Sequence, residues 1–325
     1  MIASGEVPPE VREGLRKGRR LCLWTLFWLG GISVLMYLVM GQSQAMKTAF
    51  IEDVLSLVPS ITFLIAASLE DKPASRRFPF GFKRFNSIAF LISATALLSI
   101  GTFMAYEAVM ALVMMEHPSI GAIRLFGTEV WLGWVMIGVL MYSAIPPIIL
   151  GRKKMPVAEK IEDKVLFTDA QTQKADWQTA LAGIVGVTGI GFGLWWADAV
   201  AALFISLSIL RDGWSNIKKS TAELADGAPR DLEGGDLDRD AQDVAAKLAN
   251  AFPLSDVRMR ESGRYMLAEI VGPDAVGEVD LSRFRPEHRP WRLAEVAMVL
   301  KPRNARPGEQ ADRPSVRPAA SSLRS

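Results

Sequence analysis

The sequence predicts an all-α bundle of six transmembrane helices followed by a small cytoplasmic α+β domain. Only 22% of the 325 residues are charged, and 37 Lys and Arg nearly balance 35 Asp and Glu, so net charge indicates no partner. The charges are, however, distributed very unevenly. Four uncharged stretches are each longer than the roughly 20 apolar residues that cross a bilayer; they are 21–46, 85–106, 130–151 and 177–197.

Two further helices complete the predicted bundle. Residues 48–69 are apolar except for Glu52 and Asp53, which predicts helix 2. The apolar run 177–210 would measure roughly 51 Å as one helix, which is too long for a single crossing. A turn within 191–196, where glycines and tryptophans cluster, divides it into helices 5 and 6.

Positive residues predict the orientation of the bundle. Fifteen Lys and Arg lie in the N-terminal segment and in the loops that follow helices 2 and 4, against two on the opposite side. Because positive loops stay in the cytoplasm, both termini are expected there, with a bacterial inner membrane as the expected location. Membrane lipid is then an expected partner, and no basic cluster indicates nucleic acid.

The composition changes after residue 210. A helix is expected over 236–252, where apolar residues recur at helical spacing before Pro253, followed by three short strands. The strands are predicted at 257–261, 265–271 and 294–300. The expected organisation is a cytoplasmic N-terminal segment (1–20), a transmembrane domain (21–214), a linker with a ferredoxin-like α+β domain (215–302), and a disordered tail (303–325).

Acidic residues inside the predicted helices need a functional reason, because ionisable groups at membrane depth are costly. On helix 2, Thr48, Glu52, Ser56 and Ser60 share one helical face, whereas Asp53 lies on a more apolar face. Glu52 is therefore preferred as the inward-facing acid, although a shift of one residue would select Asp53.

A second polar stripe follows helix 5. Asp169, Thr172, Asp176 and Thr179 are spaced by three, four and three residues, so they lie on one face. If both stripes face each other, their carboxylates repel, and either a divalent cation or protons relieve that repulsion. Such a site would exchange metal for protons. In the alternative interpretation, Lys174 or Lys47 neutralises the acids.

Other functional classes find less support. A single cysteine and two distant histidines, His117 and His288, argue against a disulfide framework and a His-rich metal site. No HExxH, GxSxG or glycine-rich phosphate loop occurs, so we expect neither an enzyme nor a bound cofactor. A channel, which would conduct without saturation or proton coupling, remains as an alternative. A non-transporting scaffold is another, and metal-dependent flux in vesicles would exclude it.

The arrangement resembles the cation diffusion facilitator family. Phe-Pro-Phe-Gly-Phe-Lys-Arg at 78–84 is similar to the family's loop before helix 3, and Asp169-Ala170, with Thr172 and Asp176, is similar to its helix-5 pattern. Residues 196–203 resemble its helix-6 opening, and 256–271 resemble its first cytoplasmic hairpin. Together these similarities span residues 16 to about 302.

The resemblance implies a homodimeric exporter that moves a divalent metal ion out of the cytoplasm in exchange for protons. It also implies a transport site of paired residues, four apart, on helices 2 and 5: Glu52, Ser56, Thr172 and Asp176. With Asp53, the alternative to Glu52, and Asp169 from the stripe on helix 5, these are the six predicted metal ligands.

This chain departs from the family pattern at several of these positions. Ser56 stands where the family has an acid, and Thr172 stands where it has His or Asn. Phe78 and Phe82 replace the loop histidines of the family's accessory ion site. All-oxygen ligands favour harder ions, so the expectation shifts from zinc toward manganese or iron. The alternative is a regulatory membrane protein of the same fold that no longer binds metal tightly.

Overall fold

Six long helices follow one another in the predicted order in a computed structural model of the chain. It describes residues 9–39, 53–70, 72–115, 121–125, 128–232, 237–272 and 279–300. The helices are α1 (Pro9–Val39), α2 (Val58–Glu70), α3 (Arg84–Val113), α4 (Leu132–Ile161), α5 (Lys164–Gly191) and α6 (Ala197–Leu224). The chain divides into two compact units, Met1–Ser220 and Thr221–Ser325.

Several helices carry the length and composition of a membrane span. Among the described residues, three segments are long and apolar enough to cross a bilayer: Asp53–Glu70, Arg84–Val113 and Gly133–Ile161. α1 has 31 residues, and α5 and α6 have 28 each, so their lengths also suffice. All three are less apolar than those segments, because each contains polar residues as well as its membrane segment. The predicted turn between α5 and α6 is confirmed and contains Gly193 at φ +84°.

Helix 2 is interrupted, which the sequence analysis did not predict. Residues 53–55 are helical, a turn occupies 56–57, and α2 begins at Val58. The cause is Pro59, which has no N–H to donate to the carbonyl of Leu55 and so breaks the helical hydrogen-bond ladder. The Leu57 N–H instead bonds to the carbonyl of Val54, three residues back, at 3.2 Å.

The connections around α4 also differ from the prediction. A short antiparallel hairpin, β1 (Ala122–Leu125) and β2 (Thr128–Trp131), joins α3 to α4 where only a loop was expected. α4 continues to Ile161, ten residues beyond the predicted end. Lys154, one of the cations counted above in the loop after helix 4, therefore lies within this helix.

Two glycines let α3 and α6 pack with their backbones in close contact. A Cβ on Gly101 would lie 3.0 Å from the Leu210 nitrogen, and one on Gly213 would lie 2.8 Å from the Leu98 Cα. These distances are below ordinary van der Waals contact, and the neighbouring atoms belong to backbone that cannot rotate away. The α3–α6 contact therefore requires glycine at both positions.

We expect Gly213→Ala to destabilise the protein by about 1–3 kcal/mol, because α3 and α6 must separate to admit the methyl group. Thermal unfolding of the purified protein in detergent measures the effect. Gly30→Ala is the matched control, since no atom lies within 4 Å of a Cβ built on Gly30. Equal unfolding temperatures for the two variants would contradict the close contact.

The second unit contains one helix and a three-stranded mixed sheet. α7 (Arg239–Ala251) precedes β3 (Asp256–Ser262), β4 (Tyr265–Val271) and β5 (Leu293–Val299). β4 pairs antiparallel with β3 and parallel with β5, so it is the central strand. Val244 and Leu248 of α7 pack on Met266 and Ile270 of β4 to form the core. The predicted helix and strands are thus confirmed.

The connection between β4 and β5, residues 272–292, is long enough for the crossover that a parallel pair requires. Its described part contains a single 3₁₀ turn, Leu281–Arg283. The predicted disordered tail, 303–325, lies outside the described residues.

Candidate ion-binding site

The two polar stripes meet between α2 and α5. Ser56 is fully buried, and its Oγ donates a hydrogen bond to Asp176 Oδ1 at 2.6 Å. One helical turn further along helix 2, the Ser60 Oγ lies 2.8 Å and 2.9 Å from the two carboxylate oxygens of Asp169. The break before Pro59 leaves Ser56 in the turn, from which its side chain reaches Asp176.

Asp53 lies at the start of the described part of helix 2. Its side chain is partly buried, and its Oδ2 is shielded from solvent without a hydrogen-bond partner among the described residues. A buried carboxylate oxygen without a donor is a position that a cation can satisfy. Glu52 and Lys47 lie outside the described residues, so the choice between Glu52 and Asp53 stays open.

Thr172 is fully buried on the same face of α5 as Asp176. Its Oγ1 donates to the carbonyl of Thr168 at 3.1 Å, as buried threonines in helices commonly do. The hydroxyl hydrogen is therefore already used in a hydrogen bond. The oxygen lone pairs remain available to accept a hydrogen bond or to contact an ion. Thr179 bonds in the same way to Ala175 at 3.0 Å.

Asp169 differs from Asp176 because it forms a buried ion pair. Lys154 Nζ of α4 lies 2.5 Å from Asp169 Oδ2, and neither side chain is exposed to solvent. Lys154 also donates to Ser60 Oγ at 3.1 Å, and the Cys22 thiol of α1 donates to Asp169 Oδ2 at 3.3 Å. Four helices therefore meet at this carboxylate. Lys174, considered above as a neutralising residue, is exposed instead.

Lys154 is the site residue that the sequence analysis missed, although the sequence carries a signal for it. Leu150, Lys154, Ala158 and Ile161 are all buried and recur at helical spacing, whereas Arg152 and Lys153 are exposed. This spacing places Lys154 on the apolar face of a longer helix 4 and distinguishes it from the exposed Arg152 and Lys153. The five Lys and Arg residues within 152–164 concealed this helical spacing, because they suggested a loop.

The described residues contain no group of three His, Cys, Asp or Glu side chains arranged to hold a metal ion. The predicted ligands that the structure describes offer only carboxylate and hydroxyl oxygens. In the loop before α3, the rings of Phe78, Phe82 and Phe85 pack together with centroids 4.9–5.7 Å apart. This aromatic cluster stands where the family resemblance would place an accessory ion site.

Comparison with known proteins agrees with this architecture. Residues 22–225 match the family described as the cation efflux transmembrane domain. The manganese efflux system protein MneS of Bacillus subtilis (strain 168) is 23% identical over 256 residues, which cover 74% of this chain and 80% of MneS. A cadmium, cobalt and zinc/H(+)-K(+) antiporter from the same organism is 25% identical over 177 residues, covering 54% of this chain and 53% of the antiporter.

A third relative comes from a different organism. The probable cation efflux system protein Rv2025c of Mycobacterium tuberculosis (strain ATCC 25618 / H37Rv) is 25% identical over 236 residues, covering 71% of this chain and 64% of that protein. The family match extends over all six helices and includes every predicted ligand position. The chain therefore belongs to the cation efflux family, also called the cation diffusion facilitators, and is an integral membrane transporter of divalent cations.

Proposed function

We propose that this protein exports a divalent transition-metal ion in exchange for protons at a site between helix 2 and α5. The proposed ligands are Asp176, Ser56 and Asp53, with Glu52 completing the site or replacing Asp53. The observation that carries the proposal is the 2.6 Å hydrogen bond from Ser56 Oγ to Asp176 Oδ1, which joins the two polar stripes inside the helical bundle.

The chemistry of these ligands favours a hard ion. Carboxylate and hydroxyl oxygens suit Mn²⁺ better than they suit Zn²⁺, which prefers His and Cys ligands. The similarity to a protein named as a manganese efflux system supports the same choice. Thr172, which replaces a nitrogen ligand of the family pattern, makes the site still richer in oxygen. We therefore propose Mn²⁺ as the preferred ion, with Fe²⁺ next.

Competition for the same carboxylates provides the exchange. A metal ion neutralises the acids when the site faces the cytoplasm, and protons neutralise them when it faces outward. Because both ligands bind the same groups, loading one releases the other, and rocking of the helices alternates access. We further propose that the protein works as a homodimer with both termini in the cytoplasm.

A competition flux assay tests this function. The full-length protein is reconstituted in vesicles that contain a pH-sensitive dye, and Mn²⁺, Fe²⁺, Co²⁺, Zn²⁺ or Mg²⁺ is added outside. We expect saturable proton flux that is largest for Mn²⁺. In a parallel uptake measurement with each other ion radiolabelled, an excess of Mn²⁺ should suppress uptake of that ion. Protein-free vesicles are the control. The absence of both tight metal binding and metal-driven flux would instead favour the regulatory alternative, and non-saturable flux without proton coupling would favour a channel.

A further inference from the structure

The surroundings of Asp169 have the composition of a second cation site, and the cation there is the ammonium group of Lys154. We propose that Lys154 occupies this second site and prevents a divalent ion, especially a soft one, from binding at it. Lys154 is then a specificity-determining residue. The part of this inference that concerns transport rests on the proposed function, whereas occupancy of the site is independent of it.

The donor atoms around Asp169 come from three helices. Asp169 of α5 contributes two carboxylate oxygens, Ser60 of α2 a hydroxyl and Cys22 of α1 a thiol, and all three side chains are buried. The Ser60 Oγ lies within 3 Å of both carboxylate oxygens, and the Cys22 Sγ lies 3.3 Å from Oδ2. Oxygen donors with one sulfur form a ligand set that accepts borderline and soft divalent ions.

Lys154 lies where such an ion would bind. Its Nζ contacts Asp169 Oδ2 at 2.5 Å and Ser60 Oγ at 3.1 Å, so one positive charge satisfies both the carboxylate and the hydroxyl. A buried carboxylate needs a compensating charge, and the tethered ammonium provides it permanently. A divalent ion would have to displace this ammonium into the apolar face of α4, where it would lack a partner.

The position of Lys154 explains how its ammonium group at Asp169 affects which ion is transported. Asp169 precedes Asp176 by seven residues, so the two carboxylates lie on one face of α5, about 10 Å apart along the helix. An ion approaching Asp176 from the end of α5 where Asp169 lies would meet this cluster first. Lys154 Nζ is paired with the same Asp169 Oδ2 that accepts the hydrogen bond from the Cys22 thiol. A soft ion cannot bind between this sulfur and the carboxylate without displacing the ammonium, so only oxygen ligands remain for the transported ion. Discrimination against soft ions follows.

Cadmium binding to the full-length protein in lipid nanodiscs tests the inference. Cd²⁺ bound to a cysteine thiolate produces an ultraviolet charge-transfer band, and the single cysteine makes its source unambiguous. We expect no band in the wild-type protein and a band that saturates at one Cd²⁺ per chain in Lys154→Gln. The band should disappear in the double variant Lys154→Gln/Cys22→Ser, and Lys154→Arg should behave as the wild type.

Two further variants separate this inference from the proposed function and from misfolding. Asp176→Asn/Lys154→Gln should keep the full band, because Asp176 belongs to the other site. If Lys154→Gln does not elute as a folded protein on size exclusion, Lys154→Met, which keeps the length and apolar character of the stem, takes its place. A band in the wild type, or its absence from folded Lys154→Gln or Lys154→Met, would overturn the inference whatever flux is measured.

Discussion

Asp176→Asn is expected to reduce metal-driven proton flux to the rate of protein-free vesicles. Asparagine keeps the volume of the side chain, and its amide oxygen can still accept the 2.6 Å hydrogen bond from Ser56 Oγ. The variant therefore removes mainly the negative charge. Without that charge the site loses its electrostatic attraction for a divalent ion, and the amide cannot take up the proton that exchange requires. Dye-loaded vesicles measure the flux.

The controls identify which group matters. Glu107→Gln removes an exposed carboxylate from α3, so its flux should equal that of the wild type. Ser56→Ala removes the hydrogen bond but leaves the charge, and we expect it to weaken metal binding while retaining proton-coupled flux. Wild-type flux from Asp176→Asn, in a preparation that elutes as folded protein, would contradict the proposed site.

The membrane helices could be predicted from the sequence because their determinant is local. Charge-free runs such as 85–106 reflect the cost of placing ions in hydrocarbon, which acts on each residue regardless of its neighbours. The same reasoning located the polar stripes, since helical periodicity alone places Asp169 and Asp176 on one face. The strands of the second unit were predictable from short β-rich segments that flank Ser262 and Gly263.

What the sequence did not reveal depends on long-range contacts. Lys154 and Asp169 are 15 positions apart, with a helix end and a turn between them, so their ion pair exists only after α4 and α5 pack together. The approach of Gly213 to Leu98 requires the docking of α6 on α3, which no local pattern encodes. The break at Pro59 was the exception. It was readable from the sequence, because proline inside a predicted helix always removes one hydrogen bond.

The second unit contains a buried arginine that forms ion pairs with three acidic side chains. Arg292 is fully buried at the start of β5, and its Nη1 donates to Asp238 Oδ2 at 2.6 Å and lies 3.4 Å from Asp240 Oδ2. Glu261 Oε1 of β3 lies 3.6 Å from its Nη2. Asp238 also caps α7 by accepting a hydrogen bond from the Ala241 N–H at 3.1 Å. One guanidinium thus joins the cap of α7 to two strands.

We expect Arg292→Met to destabilise the second unit by about 3–5 kcal/mol, the usual cost of leaving buried charges without their partner. This is a large share of the 5–15 kcal/mol that stabilises an ordinary domain. Hydrogen exchange of residues 237–272, measured on the full-length protein, should rise sharply. Arg258→Met is the matched control, because Arg258 forms only an exposed pair with Asp256 at 3.2 Å, worth about 0–1 kcal/mol.

The dependence on pH provides a second measurement of the same cluster. Burial raises the pKa of Asp238, but the charge and hydrogen bond of Arg292, with the Ala241 and Asp240 N–H groups, outweigh it and hold this pKa below its usual value. A carboxyl whose pKa is lowered by folding stabilises the fold above its unfolded pKa of about 3.9, and this stabilisation is lost as the pH falls through the folded pKa. The difference in exchange between wild type and Asp238→Asn should therefore be full at pH 7 and vanish in acid. A difference that does not shrink as the pH falls below about 3.9 would mean that the side chain acts through packing. The charge of Arg292 would then not be what holds α7 to the sheet.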